Sequence, residues 1–147
     1  MDLWRVSNYA DLRGIGGLQA AGRWHSRGKA IVYLADHPAS CILEMLVHLD
    51  RDLIPDTYRL LRVGVPDKMS IENVGSLPLD WRNQPALTRQ IGDDWLNGRS
   101  SALLNIPSVI VPHGRNYCLN PNHPDVRDIV VMETTDATFD RRMLGRI

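Results

Sequence analysis

The chain has 147 residues, 44% of them hydrophobic and 23% charged, a balance that suits one soluble domain with a single core and excludes a disordered or fibrous chain. Seventeen Lys and Arg against seventeen Asp and Glu leave no formal net charge, so the field that draws a protein onto nucleic acid is missing, and direct DNA or RNA binding by this chain is not expected. Two distant cysteines without a C-x-x-C pair argue against zinc or a disulfide framework, "MDLWRVSNYA" is not a signal sequence, and no run nears the roughly 20 apolar residues of a membrane span; the expectation is a cytoplasmic protein with no membrane contact.

In chain order, "LWRVS" predicts a short strand. The following "DLRGIGGLQAAGRWHSRG" carries Gly14, Gly16, Gly17, Gly22 and Gly28, which predicts a loop whose backbone bends unusually or approaches a ligand. "AIVYLA" is apolar on both faces and reads as a central strand with Tyr33 in its middle. In "DHPASCILEMLVHLD", Asp36 or His37 can cap, Pro38 suits the first turn, and Ile42, Leu46 and Leu49 form an apolar stripe, so a helix is predicted. Glu44 lies off that stripe, between Ser40 and His48 on one face.

"YRLLRVGVP" predicts a strand with Leu61, Val63 and Val65 on one side, ended by Pro66. The segment 67–85 reads as irregular. A second helix is expected in "PALTRQIGDDWLNG", with Leu87, Ile91 and Trp95 at helical spacing. "SALLNIPSVIVP" predicts a strand broken near Pro107, "NYCLNPNHPD" a loop, and "IVVME" a last short strand. No repeat or linker divides residues 1–147, so one mixed α+β domain is expected, without the regular crossover helices of a doubly wound sheet.

Several patterns exclude chemistry. "GIGG" is neither a dinucleotide fingerprint nor a P-loop, no G-x-S-x-G elbow occurs, and the five histidines form no metal-ligand pair, so no metal site is expected. Arg23, between a glycine and Trp24, offers a planar fork suited to phosphate, or is a surface arginine stacked on that tryptophan. Glu44 is a solvated flank residue or a carboxylate aimed into a cleft. Tyr33 is core, or an aromatic platform with a polar tip. Ser108 and Asn116 stand at strand edges, where polar side chains cap turns.

Taken together, "GRWHSRGKAIVYLA", "SCILEMLVHL", "LLNIPSVIVP" and "NYCLNPNHPD" resemble, in order and spacing, the RES domain, the toxin half of RES-Xre bacterial toxin–antitoxin pairs. The resemblance runs from Trp4 to about Asp125. The arginine, glutamate and serine that name the family match Arg23, Glu44 and Ser108, with Ser100 and Ser101 close enough to compete for the serine. His25 stands where relatives commonly carry asparagine.

The resemblance implies an ADP-ribosyltransferase-like fold, a split, curved sheet with flanking helices that holds NAD+ in a cleft. NAD+ is then a substrate, not a cofactor. It is consumed by hydrolysis or, with inorganic phosphate as co-substrate, by phosphorolysis, and its depletion arrests growth. Some relatives instead transfer ADP-ribose to a protein; a non-catalytic nucleotide-binding module is the remaining alternative. The implied partner is an Xre-type helix-turn-helix antitoxin that covers the cleft in a hetero-oligomer and makes the DNA contacts. In that frame Arg23 holds the diphosphate and Trp24 binds NAD+ beside it, Glu44 bonds the ribose and faces the developing cation, Tyr33 packs against the nicotinamide end, Ser108 and Asn116 complete the polar lining, and the glycine loop approaches the dinucleotide.

Overall fold

The computed structural model describes residues 1–145. Its strands are β1 (Asp2–Val6), β2 (Val32–Ala35), β3 (Thr57–Gly64), β4 (Ile71–Asn73), β5 (Leu103–Pro107), β6 (Arg115–Leu119) and β7 (Val130–Thr138). The helices are α1 (Ile15–Gln19), α2 (Pro38–His48) and α3 (Pro85–Gly98). The strands form one open sheet in the order β4-β5-β6-β2-β1-β3-β7, antiparallel throughout except for the parallel pair β4–β5.

The sheet divides into two wings. β1, β3 and β7 pair over long registers, and so do β2, β6 and β5, but β1 and β2 share only the register pair Trp4↔Ala35. This narrow joint is the split expected of the fold. Helix α2 packs against both β1 and β2 and so straddles it.

Each side of the sheet carries its own core, because alternate side chains of a strand point to opposite faces. Leu3, Val32, Leu34, Leu61, Val63, Val65, Leu103 and Leu119 fill one side. Trp24, Trp81, Trp95, Leu104, Ile106 and Cys118 fill the other, with Tyr33 packed against them. The predicted β3 face of Leu61, Val63 and Val65 is buried as its alternation requires.

Four local expectations are corrected. The glycine-rich loop contains one helical turn, α1, and a Cβ on its Gly17 would lie 2.3 Å from the Lys29 carbonyl oxygen; the close approach is to the chain itself. The segment expected to be irregular contributes β4, three residues recruited by parallel pairing with β5. "RNYCL" is the strand β6, paired on both sides, and the turn chemistry begins only at Asn120. β7 runs on through Thr138, since "TTDAT" continues the ladder on β3.

Both long helices form where predicted, and Pro38 and Pro85 stand in their first turns. His37, one of the two candidates, caps α2: its Nδ1 accepts the Ala39 N–H at 3.1 Å. The stripe Ile42, Leu46 and Leu49 is only half-buried and Cys41 is the buried residue of α2. α3 is turned from its expected face. It buries Thr88, Gly92, Trp95 and Leu96, while Leu87 and Ile91 are half-buried. None of the described helices is long and apolar enough to cross a membrane.

Candidate active site

The register of the central strands lays the floor. Tyr33 pairs with Cys118 and Ala35 with Asn116, while Ile106 of β5 pairs with Asn116 from the other side. Tyr33, Ala35, Asn116, Cys118 and Ile106 therefore share one face, with Ala35 and Asn116 one two-residue step, roughly 7 Å, beyond Tyr33 and Cys118.

Glu44 reaches this floor from α2. The Asn116 side-chain amide donates to Glu44 Oε1 at 3.0 Å, a contact across 72 positions of sequence. The other carboxylate oxygen lies 3.9 Å from His48 Nε2, beyond hydrogen-bond reach, and the side chain is 32% exposed. One oxygen is thus fixed and the other is free to accept a hydrogen bond from a ligand.

The loop bearing Arg23 is held from two sides. On α3, the Thr88 hydroxyl donates to the Arg23 carbonyl at 2.7 Å and Arg89 Nε to the Gly22 carbonyl at 2.9 Å. Asp93 accepts from both the backbone N–H and the hydroxyl of Ser26, at 2.8 and 2.5 Å. Gly92 lets the loop lie on the helix: a Cβ there would sit 1.6 Å from the Trp24 carbonyl oxygen. This need for contact with a polar loop explains why α3 buries Thr88 and Gly92 in place of Leu87 and Ile91.

From the sheet, Tyr33 holds the same loop. Its hydroxyl accepts the Trp24 N–H at 3.1 Å and lies 2.7 Å from His25 Nδ1, while His25 Nε2 lies 2.8 Å from the Ala20 carbonyl. A carbonyl can only accept, so Nε2 carries the hydrogen and Nδ1 accepts from the tyrosine. Burial raises the Tyr33 phenol well above its ordinary value, which keeps that proton in place. The hydroxyl is therefore committed to the loop, and what Tyr33 can offer a ligand is its ring.

Arg23 itself donates from Nη1 to the Arg82 carbonyl at 2.9 Å. Arg82 lies 4.8 Å above the Trp81 ring and donates from Nε to the Val109 carbonyl at 3.3 Å. Val109 stands three residues beyond Ile106, the register partner of Asn116. A chain of contacts thus runs from Glu44 through Asn116 and the end of β5 to Arg82 and Arg23.

Trp24 and the serines take other places than a ligand lining. Trp24 is 1% exposed and packs 6.1 Å from Trp81, so its ring has no surface for a substrate; it anchors Arg23 in the core. Ser108 is buried and its Oγ accepts the N–H groups of Ile110 and Val111 at 3.1 and 3.0 Å, tying the turn after β5. Ser101 is also buried: it accepts from Trp95 Nε1 and donates to the Leu103 carbonyl, both at 2.9 Å, and belongs to the core. Ser100 is exposed. The sequence reading missed Arg82, Thr88 and Asp93, which carry no local pattern and meet the site only through tertiary contacts, and it gave His25 no role.

Among the described residues no cluster of three His, Cys, Asp or Glu could hold a metal ion. A cavity of about 490 Å³ lined by Arg51, Asp56, Phe139 and Arg141 shares none of the residues described above.

The Arg23 loop, Tyr33 and Glu44 are the residues on which the resemblance to the RES domain rests, and they are carried by β2, by the loop before it and by α2. Residues 2–140 match that family, described as "RES domain", and the chain belongs to it. Among its relatives is "Toxin Res" of Pseudomonas putida strain KT2440, 44% identical over 145 residues that cover 97% of this chain and 99% of that protein. The "Prs ADP-ribosylating toxin" of Sphingobium sp. strain YBL2 is 35% identical, over 97% of this chain and 96% of that one. The fold is that of a chain in the crystal structure of the M. tuberculosis MbcT–MbcA toxin–antitoxin complex, with a TM-score of 0.75 at 16% identity, covering 93% of this chain and 84% of the other.

Proposed function

We propose that this RES domain is the toxin of a toxin–antitoxin pair and that it consumes NAD+ in the cytoplasm by cleaving the nicotinamide–ribose bond. The observation that supports the reading is the Glu44 carboxylate, held by Asn116 at 3.0 Å and linked through β5 to the contacts that hold Arg82 and Arg23. Breaking this bond builds positive charge on the ribose, and the enzyme gains from negative charge and hydrogen bonds that strengthen as it grows. The free oxygen of Glu44 accepts a ribose hydroxyl and faces that charge. Nicotinamide departs as a neutral base, so the reaction needs no general acid, in keeping with a Tyr33 hydroxyl engaged elsewhere. Arg23 grips the diphosphate and the Tyr33 ring packs against the reacting end.

Purified protein incubated with NAD+, with and without inorganic phosphate, is expected to release nicotinamide; absence of release in both conditions refutes the reading. Products separate the acceptors, ADP-ribose for water and its 1-phosphate for phosphate. Binding of NAD+ without turnover would mark a nucleotide-binding module.

A second reading, transfer of ADP-ribose to a protein, is favoured by the name of the Sphingobium relative. Labelled NAD+ would then mark a macromolecule in a lysate. The MbcT–MbcA likeness supports an antitoxin as partner, and an adjacent reading frame with an Xre-type helix-turn-helix pattern would supply it.

A further inference from the structure

We propose that Arg82 joins Arg23 in a cradle of two guanidinium groups that recognises the diphosphate of a dinucleotide, which makes Arg82 a determinant of dinucleotide over mononucleotide substrates. The inference rests on the reading of the cleft as an NAD+ site and adds a residue to it.

Both cations are fixed in place before any ligand arrives. Arg23 is docked through Nη1 on the Arg82 carbonyl, and its backbone is held by Thr88. Arg82 is held at Nε by Val109 and by the face of Trp81, itself buried against Trp24. An arginine so placed loses little further freedom on binding an anion.

Neither is neutralised. Among the described residues the ion pairs of the chain lie elsewhere, and no carboxylate comes within 4.0 Å of Arg23 or Arg82. Each anchoring bond uses one nitrogen, so each guanidinium keeps N–H donors for a ligand. Arg82 is exposed and Arg23 half-buried, so those donors are accessible. Two prearranged and uncompensated forks, one docked on the backbone of the residue that carries the other, suit a ligand with two linked phosphates, each able to accept bidentate bonds. A single phosphate engages one fork fully and gains little from the second.

The test uses the whole chain as wild type, Arg82→Gln and Arg82→Lys, with calorimetric titration of ADP-ribose and inorganic pyrophosphate, and nicotinamide release from NAD+ and from nicotinamide mononucleotide. Arg82→Gln is expected to weaken binding of both diphosphate probes about tenfold or more and to raise KM for NAD+ similarly. Turnover of the mononucleotide should stay within about twofold. Arg82→Lys should restore only part of the affinity, because ammonium supplies charge without the fork. Unchanged melting temperatures identify the loss as one of recognition.

Wild-type protein that binds neither probe, affinities of Arg82→Gln within twofold of wild type, or equal losses for mono- and dinucleotide would overturn the inference. A wild type that binds ADP-ribose in an Arg82-dependent way yet releases no nicotinamide would refute the catalytic reading and leave the cradle standing.

Discussion

The side-chain amide of Asn116 on β6 donates to Glu44 on α2 at 3.0 Å, joining the central strands to the helix that carries the carboxylate. The bond leaves one glutamate oxygen free and fixes the direction in which it points. Glu44→Gln is expected to lower nicotinamide release by about 10²- to 10³-fold with the fold retained, because the amide keeps the shape and loses the charge. Asn116→Ala should cost about tenfold, mostly in kcat, through looser positioning. Steady-state kinetics beside circular dichroism checks both, and near-normal turnover by Glu44→Gln would refute the mechanism.

Tyr33 tests the loop from the sheet side. Tyr33→Phe keeps the ring and removes the hydroxyl, leaving the buried Trp24 N–H and His25 Nδ1 without their partner. A loss of about 1–3 kcal/mol in urea unfolding is expected, with a rise in KM as Arg23 loosens. Replacement with Leu should damage turnover further, since it also removes the aromatic face.

Gly92 tests it from α3. A methyl group there collides with the Trp24 carbonyl oxygen, so Gly92→Ala must push the loop off the helix and break the Thr88 and Asp93 bonds. The expected cost is about 2 kcal/mol or more, despite the better helix propensity of alanine. A thermal melt combined with an ADP-ribose titration measures both consequences; a stabilised variant with intact binding would contradict the packing described.

The serines should separate cleanly. Ser101→Ala strands the Trp95 indole N–H in the core and is expected to cost about 1–2 kcal/mol of stability with kinetics near normal in the folded fraction. Ser108→Ala loosens the turn beside Val109, on which Arg82 rests, so its effect should fall on KM for NAD+.

Alkaline pH should destabilise the protein in a defined window. Burial pushes the Cys41 thiol up to about 12, and raises Cys118 and Tyr33 too, whereas thiols in the unfolded chain ionise near about 8.5. Above that value the unfolded chain releases protons that the folded chain retains. The contribution of Cys41 is therefore intact below about pH 8.5 and is lost as pH rises toward about 12. Urea midpoints measured at pH 7.5 and pH 10 should fall, and Cys41→Ala should flatten part of that fall.

The elements with strong local chemistry were legible in the sequence: α2 from Pro38 and its cap, α3 from Pro85, and β3 from the alternation of Leu61, Val63 and Val65. β6 was not, since Asn116 to Leu119 read as part of a loop until β2 and β5 pair with them on both sides. β4 exists only as a ladder on β5. Within the site, Arg23 and Glu44 stood out through family resemblance. The Asn116–Glu44 bond and the α3 bonds to the loop link residues more than 60 positions apart, and no periodicity encodes such distances. Trp24 misled because a tryptophan beside an arginine reads as surface when only neighbours are considered, whereas the fold turns it inward against Trp81.

The narrow joint between the wings has a mechanical meaning. A full ladder holds two strands by many bonds, but Trp4↔Ala35 is a single rung, so the β1-β3-β7 wing is held to the other chiefly by the core that Leu3, Leu61 and Val63 share with Val32, Leu34 and Leu119. α2 spans that joint and carries Glu44, which Asn116 ties to β6, while the loop of Arg23 is bolted to α3 and to β2 of the same wing. The gap between carboxylate and guanidinium is therefore set within one wing, by β6 on the Glu44 side and by β2 on the Arg23 side.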